Sequence, residues 1–196
     1  VDYLNSIKEL LEINLTENGN KLAIMMLKNI PNCWAKRTSS TGKYHRKSNG
    51  FVPSTAEHTY EMLYAAVPLL SMLDIKVKTN EADVILLAIT LHDAFKYGSR
   101  DDAEYNSFHT YKEHDKLSAD IIHENKNFFK KIFDEEEVVL LEEIVRFHSG
   151  RWSTDAKKDF SFKNLDPKTM FVHMLDMLSS RDLLKVKMEH PKNEQH

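Results

Sequence analysis

Apolar residues recur along the chain at three- and four-residue intervals, and almost every such stretch reads as an amphipathic helix. Over 2–15, Leu4, Ile7, Leu10 and Leu11 share a face behind Asp2 as a candidate cap. Over 20–29, Leu22, Met25 and Met26 repeat the pattern up to Pro31. A polar segment from about 31 to 53, with Ser39, Ser40, Gly42, Ser48, Asn49, Gly50 and Pro53, reads as loop. It is longer than a compact domain usually holds without a functional reason. Ser54-x-x-Glu57 has the form of a capping box and opens a helix towards Val67, where Pro68 should kink or end it. Residues 81–97 form a strongly apolar helix (Val84, Leu87, Ala88, Leu91), more buried than its neighbours. Two more are expected at about 111–124 and 135–148, the second with Asp134 as N-cap and Val138, Leu141, Ile144 and Val145 on its face. Asp166-Pro167 starts a last long helix carrying Met170, Val172, Leu175, Leu178 and Leu183, and the tail from about Glu189 is expected to fray. With no credible strand pair, repeat or linker between two cores, the fold class is all-α: a single compact bundle of about seven helices.

Composition narrows the function classes. The 196 residues suffice for one core and are thin for two. Five Gly and five Pro are few, which disfavours a β-sandwich or a Gly-rich nucleotide-binding fold. One cysteine excludes a disulfide framework and any multi-Cys zinc site, and Cys33 has no assigned role. The apolar runs are short and broken by charge, so no transmembrane span or secretory segment is visible and cytoplasmic is the default expectation. The chain opens on Val1 without an initiator Met, the expectation being a processed, trimmed or longer protein. A net charge of −3 supplies no global field for gathering nucleic acid. Locally, Lys36, Arg37, Lys43, Arg46 and Lys47 are interleaved with Trp34 and Tyr44, the composition of a phosphate-binding or base-stacking surface and equally of a solvated loop.

The outlying count is ten histidines. His92-Asp93 follows the most apolar stretch, and Asp176 is embedded in His173-Met174-Leu175-Asp176-Met177-Leu178. A charged Asp in such surroundings is costly unless paired or bound to a cation. One buried His is more often a satisfied core residue than a ligand, and one His-Asp pair arises by chance. The set carries more weight: His58, His92-Asp93, His114, His148 and Asp176 each lie on or beside a different expected helix. Helical bundles build metal sites from side chains converging from facing helices. An N/O donor set without thiolate suits Mn, Fe, Co, Ni, Zn or Mg.

In this order the residues resemble the HD-domain metal-dependent phosphohydrolases, from about Tyr44 to Arg181. Lys43-Tyr44-His45, Asn49-Gly50 and Glu57-His58-Thr59 resemble the family's entry segment. Leu91-His92-Asp93-Ala94-Phe95-Lys96 resembles its core motif, and Glu113-His114 with Ser118-Ala119 resembles the segment of members with a two-metal centre. Arg146-Phe147-His148-Ser149-Gly150-Arg151-Trp152 and His173-x-x-Asp176 resemble the last two blocks. The resemblance implies one HD-type domain over 1–196: N-terminal helices at 1–30, a basic loop at 31–53, a metal-binding helical core at 54–188 and a frayed tail at 189–196.

It further implies a first divalent metal on His58, His92, Asp93 and Asp176, with Asp93 bridging to a second on His114 and His148. Two such ions, about 3.5–4 Å apart, would activate a water for in-line attack on phosphorus. Asp93 and Lys96 are then the catalytic candidates. Lys96, Arg151 and His45 are the substrate-binding candidates, and His173 would hydrogen-bond from behind a ligand. A helix-capping Lys96, favoured by the dipole, is the competing reading. His109, His123, His190 and His196 are expected at the surface.

The entry segment and the His-Ser-Gly-Arg-Trp block most resemble the superfamily's 3′-to-5′ exoribonucleases. Two features depart from the family: Phe95 replaces the usual Gly before the Lys, and two helices stand where those enzymes carry an oligonucleotide-binding β-domain. The expected activity is phosphodiester or phosphomonoester hydrolysis on a nucleotide or nucleic-acid end. The alternatives are a small signalling nucleotide, such as a dinucleoside polyphosphate, and a metal-bound regulatory module without turnover. No membrane partner is expected.

Overall fold

A computed structural model describes residues 2–36, 53–98 and 111–180. Every multi-residue regular element among them is helical, and seven α-helices have eleven residues or more. In chain order these are α1 (Tyr3–Asn14), α2 (Glu17–Asn29), the short α3 (Cys33–Lys36), α4 (Thr55–Leu69), α5 (Asn80–Leu91), α6 (His114–Glu124), the short α7 (Lys126–Phe129), α8 (Glu135–Phe147) and α9 (Pro167–Ser180).

Helix α5 is the axis of the bundle. Ala82 to Leu91 are all buried, because this stretch is apolar on every face and can lie only where neighbours surround it. Helices α2, α4, α8 and α9 pack on it, α1 backs onto α4, and α6 lies along α8. Each large aliphatic side chain buried here, such as Leu86, Leu87 or Ile89, stabilises the fold by roughly 1.5–3 kcal/mol.

Two polar groups inside α5 are both hydrogen-bonded, one within the helix and one to a distant turn. Thr90 donates its hydroxyl to Leu86 O at 2.8 Å. Asp83 accepts the Thr16 N–H at 2.9 Å and the Thr16 hydroxyl at 2.5 Å. Thr16 in turn caps α2 through Gly19 N, so α2 starts at Glu17, ahead of the position its apolar pattern suggests. Gly19 lies in the first turn of α2. Its role is steric: a Cβ there would overlap the Asp83 carboxylate.

Other ends also differ from the pattern. Helix α5 stops at Leu91, and 92–97 form successive turns, so the His92-Asp93-Lys96 stretch lies just past the helix. Pro68 sits in the last turn of α4, which ends at Leu69 and tightens into a 3-10 turn over Leu70–Leu73. At its start, Ser54 caps Glu57 N as expected, while the Glu57 carboxylate accepts the Tyr3 hydroxyl of α1 at 3.1 Å. Asp134 and Glu137 complete a reciprocal capping box on α8. Among the described residues no helix is long and apolar enough to cross a membrane.

Candidate metal centre

Five helix ends or faces converge at one point. His58 comes from the first turn of α4, His92 caps the end of α5 with Asp93 next to it, His114 opens α6, His148 caps the end of α8, and Asp176 comes from α9. The imidazoles form an edge-to-face arc: His58–His92 at 5.3 Å between ring centres, His92–His148 at 5.0 Å and His148–His114 at 5.4 Å. His58, His92, Asp93 and His148 are buried.

The helix ends set the ring orientation. The last carbonyls of a helix lack intrahelical partners, and two of these histidines fold back onto them. His92 Nδ1 lies 2.6 Å from Ile89 O, and His148 Nδ1 lies 2.7 Å from Val145 O. His114 repeats the device on Tyr111 O at 3.2 Å. A carbonyl only accepts, so in each neutral ring Nδ1 carries the proton and Nε2 turns inward as a bare lone pair. Burial first of all, with the neighbouring His148 and His58 rings adding, pushes His92 down to about 3. Burial likewise lowers His148. Both rings are therefore neutral near pH 7. The Ser149 hydroxyl, 3.2 Å from His148 Nε2, can donate to that lone pair.

Asp93 stands between two groups of donors. Its Oδ2 is 3.6 Å from His92 Nε2, and its Oδ1 is 3.0 Å from His114 Nε2 and 3.7 Å from His148 Nε2. His92 Nε2 and His58 Nε2 are 3.3 Å apart, and His58 Nε2 is 3.0 Å from Asp176 Oδ1. Two clusters result, His58–His92–Asp93 and Asp93–His114–His148, each with its donor atoms within 4.8 Å of one another. Burial opposes ionisation of Asp93, but the Lys96 ammonium on its Oδ2 holds its carboxyl well below the usual carboxylate range. Asp176 is lowered in the same way: burial opposes, and the His58 contact overcomes it.

These residues fit divalent cations. Asp93 Oδ1 is buried and accepts no hydrogen bond, although lone pairs of two imidazoles face it. Bare lone pairs converging on an ionised, unpaired oxygen lack a positive charge at their centre. The donor set, imidazole and carboxylate without thiolate, suits first-row divalent metals and Mg and does not select one.

The remaining candidates are distributed around this centre. Lys96 is buried with its ammonium on Asp93 Oδ2, beyond the end of α5, so a helix-capping role is not what it performs. His173 Nδ1 donates to His148 O at 2.6 Å while its ring lies against Phe162, so it steadies the backbone of a candidate ligand. Arg151 is exposed, with its guanidinium over the Trp152 ring. His123 is a surface residue paired with Glu142. His45, Arg37, Lys43, Tyr44, Arg46, Lys47, His109, His190 and His196 lie outside the described residues.

Ser179, Asp115 and Thr154 escape a sequence reading. Ser179 Oγ lies 2.8 Å from His58 Nδ1, and its only sequence signal is being three residues after Asp176 on the same face of α9. Buried Asp115, next to His114, accepts the Thr154 N–H and hydroxyl at 2.5 and 2.6 Å. Arg146 ties Asp120 of α6 and Asp155 to its own helix, which also bears Glu142; against the opposing effect of burial, these carboxylates raise its pKa further.

Neither a curated protein nor a solved structure matches the chain. A family model does, that of the HD domain, over residues 55–189, which include both donor clusters. The chain therefore belongs to the HD-domain family, the superfamily of metal-dependent phosphohydrolases.

Proposed function

We propose that the protein is a two-metal phosphohydrolase acting on a nucleotide or a nucleic-acid end. The observation that carries this reading is Asp93: its Oδ2 faces His92, which clusters with His58, and its Oδ1 faces His114 and His148. His58, His92, Asp93 and Asp176 would hold one ion, and Asp93, His114 and His148 the other. Bound there, the ions supply Lewis acidity towards the phosphoryl oxygens and a water made nucleophilic at neutral pH.

The chain's own residues do the rest. Neutral His92 and His148 present lone pairs without first losing a proton, because burial keeps them unprotonated. His58 has two settings: Nε2–H can donate to Asp176, or Nδ1–H to Ser179, and the second frees Nε2 for a ligand bond. Lys96 and Arg151 provide positive charge for a phosphate, Lys96 by leaving the Asp93 carboxylate it engages. The apolar walls of α5 and α8 behind the histidines exclude bulk water and strengthen each of these interactions.

No serine or cysteine nucleophile is required. The entry segment and the His-Ser-Gly-Arg-Trp block resemble the exoribonucleases, and the Arg-Phe-His-Ser-Gly-Arg stretch also resembles hydrolases of dinucleoside polyphosphates, so both substrate classes enter the test. The test is hydrolysis of a generic phosphodiester in the presence of each divalent metal, followed by a panel of mononucleotides, dinucleoside polyphosphates, cyclic nucleotides and short oligonucleotides. Metal-dependent turnover that Asp93→Ala abolishes supports the reading. Turnover that persists in Asp93→Ala, or a wild-type protein inert with every metal and substrate, overturns it.

A further inference from the structure

The turn that follows His148 is fastened at several points and yet presents a large aromatic ring to solvent. Ser149 Oγ lies 3.2 Å from His148 Nε2, and Trp152 N–H donates to Ser149 O at 3.2 Å. Ser153 N–H closes the 3-10 turn Gly150–Trp152 on Gly150 O at 3.0 Å. Behind the turn, Gly150 takes a left-handed conformation (φ +61°) against the His173 ring. Beyond it, Thr154 is held by buried Asp115 and Asp155 by Arg146.

A side chain on so fixed a turn is pre-positioned, which lowers the entropy lost when it engages a ligand. On this turn Trp152 is 65% exposed, whereas Trp34 is 3% exposed. The Arg151 guanidinium carbon lies 5.9 Å from the Trp152 ring centre. Lys157 and Lys158 are exposed in the same segment; Asp155 is engaged by Arg146, which leaves Asp159 as its other acid. A rigid, exposed indole with an arginine over it and lysines alongside suits a flat, electron-rich ring attached to a phosphate.

We propose that Trp152, with Arg151, is the stacking platform for a base of the substrate, placed beside the phosphate held at the metal centre. This deepens the phosphohydrolase reading and rests on it for the identity of the neighbouring phosphate. The ligand is a planar base linked to a phosphate chain, whether carried by a short single strand or by a dinucleoside polyphosphate. Loss of base–aromatic stacking of the usual strength weakens binding about five- to hundred-fold.

The test uses the full metal-loaded chain with phosphorothioate-linked ligands that resist hydrolysis, so binding is read without turnover. Trp34→Phe leaves Trp152 as the only indole, and its fluorescence is followed during titration with a thymidine tetranucleotide, an abasic tetramer of equal charge, or a dinucleoside tetraphosphate. Quenching by either base-bearing ligand and not by the abasic tetramer is expected, and the tighter of the two names the source. Trp152→Ala, followed by competition or calorimetry, should weaken the base-bearing ligand five- to hundred-fold and leave the abasic one unchanged, with Trp152→Phe restoring most of the loss. Equal quenching by the abasic tetramer, no binding of either base-bearing ligand, or an unchanged Kd in Trp152→Ala overturns the proposal. Metal-dependent hydrolysis of a generic diester is measured separately, so the platform and the phosphohydrolase reading can fail independently.

Discussion

Substituting Gly150 by Ala tests whether the backbone behind His148 is as constrained as its contacts imply. The position has φ +61°, a region that costs an L-residue about 1–2 kcal/mol. A Cβ there would lie 2.7 Å from His173 Cε1, closer than carbon atoms approach, so the ring must move. That ring is held by its bond to His148 O and by Phe162, and losing the hydrogen bond costs about 1 kcal/mol. The sum is about 2–3 kcal/mol. For a chain of this size each kcal/mol shifts Tm by about 2–4 °C, so a fall of about 4–12 °C is expected. Urea unfolding of the metal-free protein, followed by circular dichroism, gives the free energies. The cycle with His173→Ala separates the two causes. With the ring removed, Gly150→Ala should cost only the backbone share of about 1–2 kcal/mol. Equal costs in both backgrounds would show that His173 does not press on this turn, and the positioning role given to it would be wrong.

Further consequences can be checked with the same protein. Asp93→Asn should abolish metal-dependent hydrolysis and, because it strands the buried Lys96 ammonium, cost about 3–5 kcal/mol of stability; Asp93→Asn/Lys96→Met should regain much of the stability and none of the activity. Ser179→Ala removes the partner of His58 Nδ1 and should weaken the first metal about 10- to 100-fold while Tm changes little, measured by metal titration. Thr154→Val deletes one of the two bonds to buried Asp115 and should cost about 1.5–3 kcal/mol in urea unfolding, a loss that Asp115→Asn in the same chain should not add to in full. Acid should weaken the metal-free protein earlier than its carboxylates alone require. His92 is depressed to about 3 and His148 is also lowered, so the unfolded chain binds more protons below about 6.5, and stability falls as pH drops from there towards 3. Unchanged urea midpoints between pH 7 and pH 4.5 would contradict that.

Much of the architecture was legible because helices declare themselves through one-faced apolar periodicity and caps. Helix α8 shows both, with Asp134 and Glu137 closing its start and Val138, Leu141, Ile144 and Val145 on its face. Helix ends were less legible where a distant group decides them. The start of α2 depends on Thr16 and on Asp83 from a helix far along the chain, and that carboxylate leaves no room for a side chain at Gly19. Helix α5 ends earlier than its pattern suggests, since Ala94 and Phe95 extend the apolar run while the backbone has already turned at His92. At the site, histidine and aspartate stand out in apolar surroundings, and the structure brings His58, His92, Asp93, His114, His148 and Asp176 together. Ser179, Asp115 and Thr154 do not stand out. A serine on a helix face and an Asp-Thr pair far apart in sequence gain meaning only from tertiary contact.

The proposed chemistry rests on two ions sharing Asp93. Elemental analysis of the metal-loaded protein, combined with Mn titration followed by electron paramagnetic resonance, tests this most directly. Close to two ions per chain with a spin-coupled signal are expected. His114→Ala should reduce this to one uncoupled ion, and Asp93→Ala should remove both. A single ion per chain whose binding is unchanged in His114→Ala would contradict it.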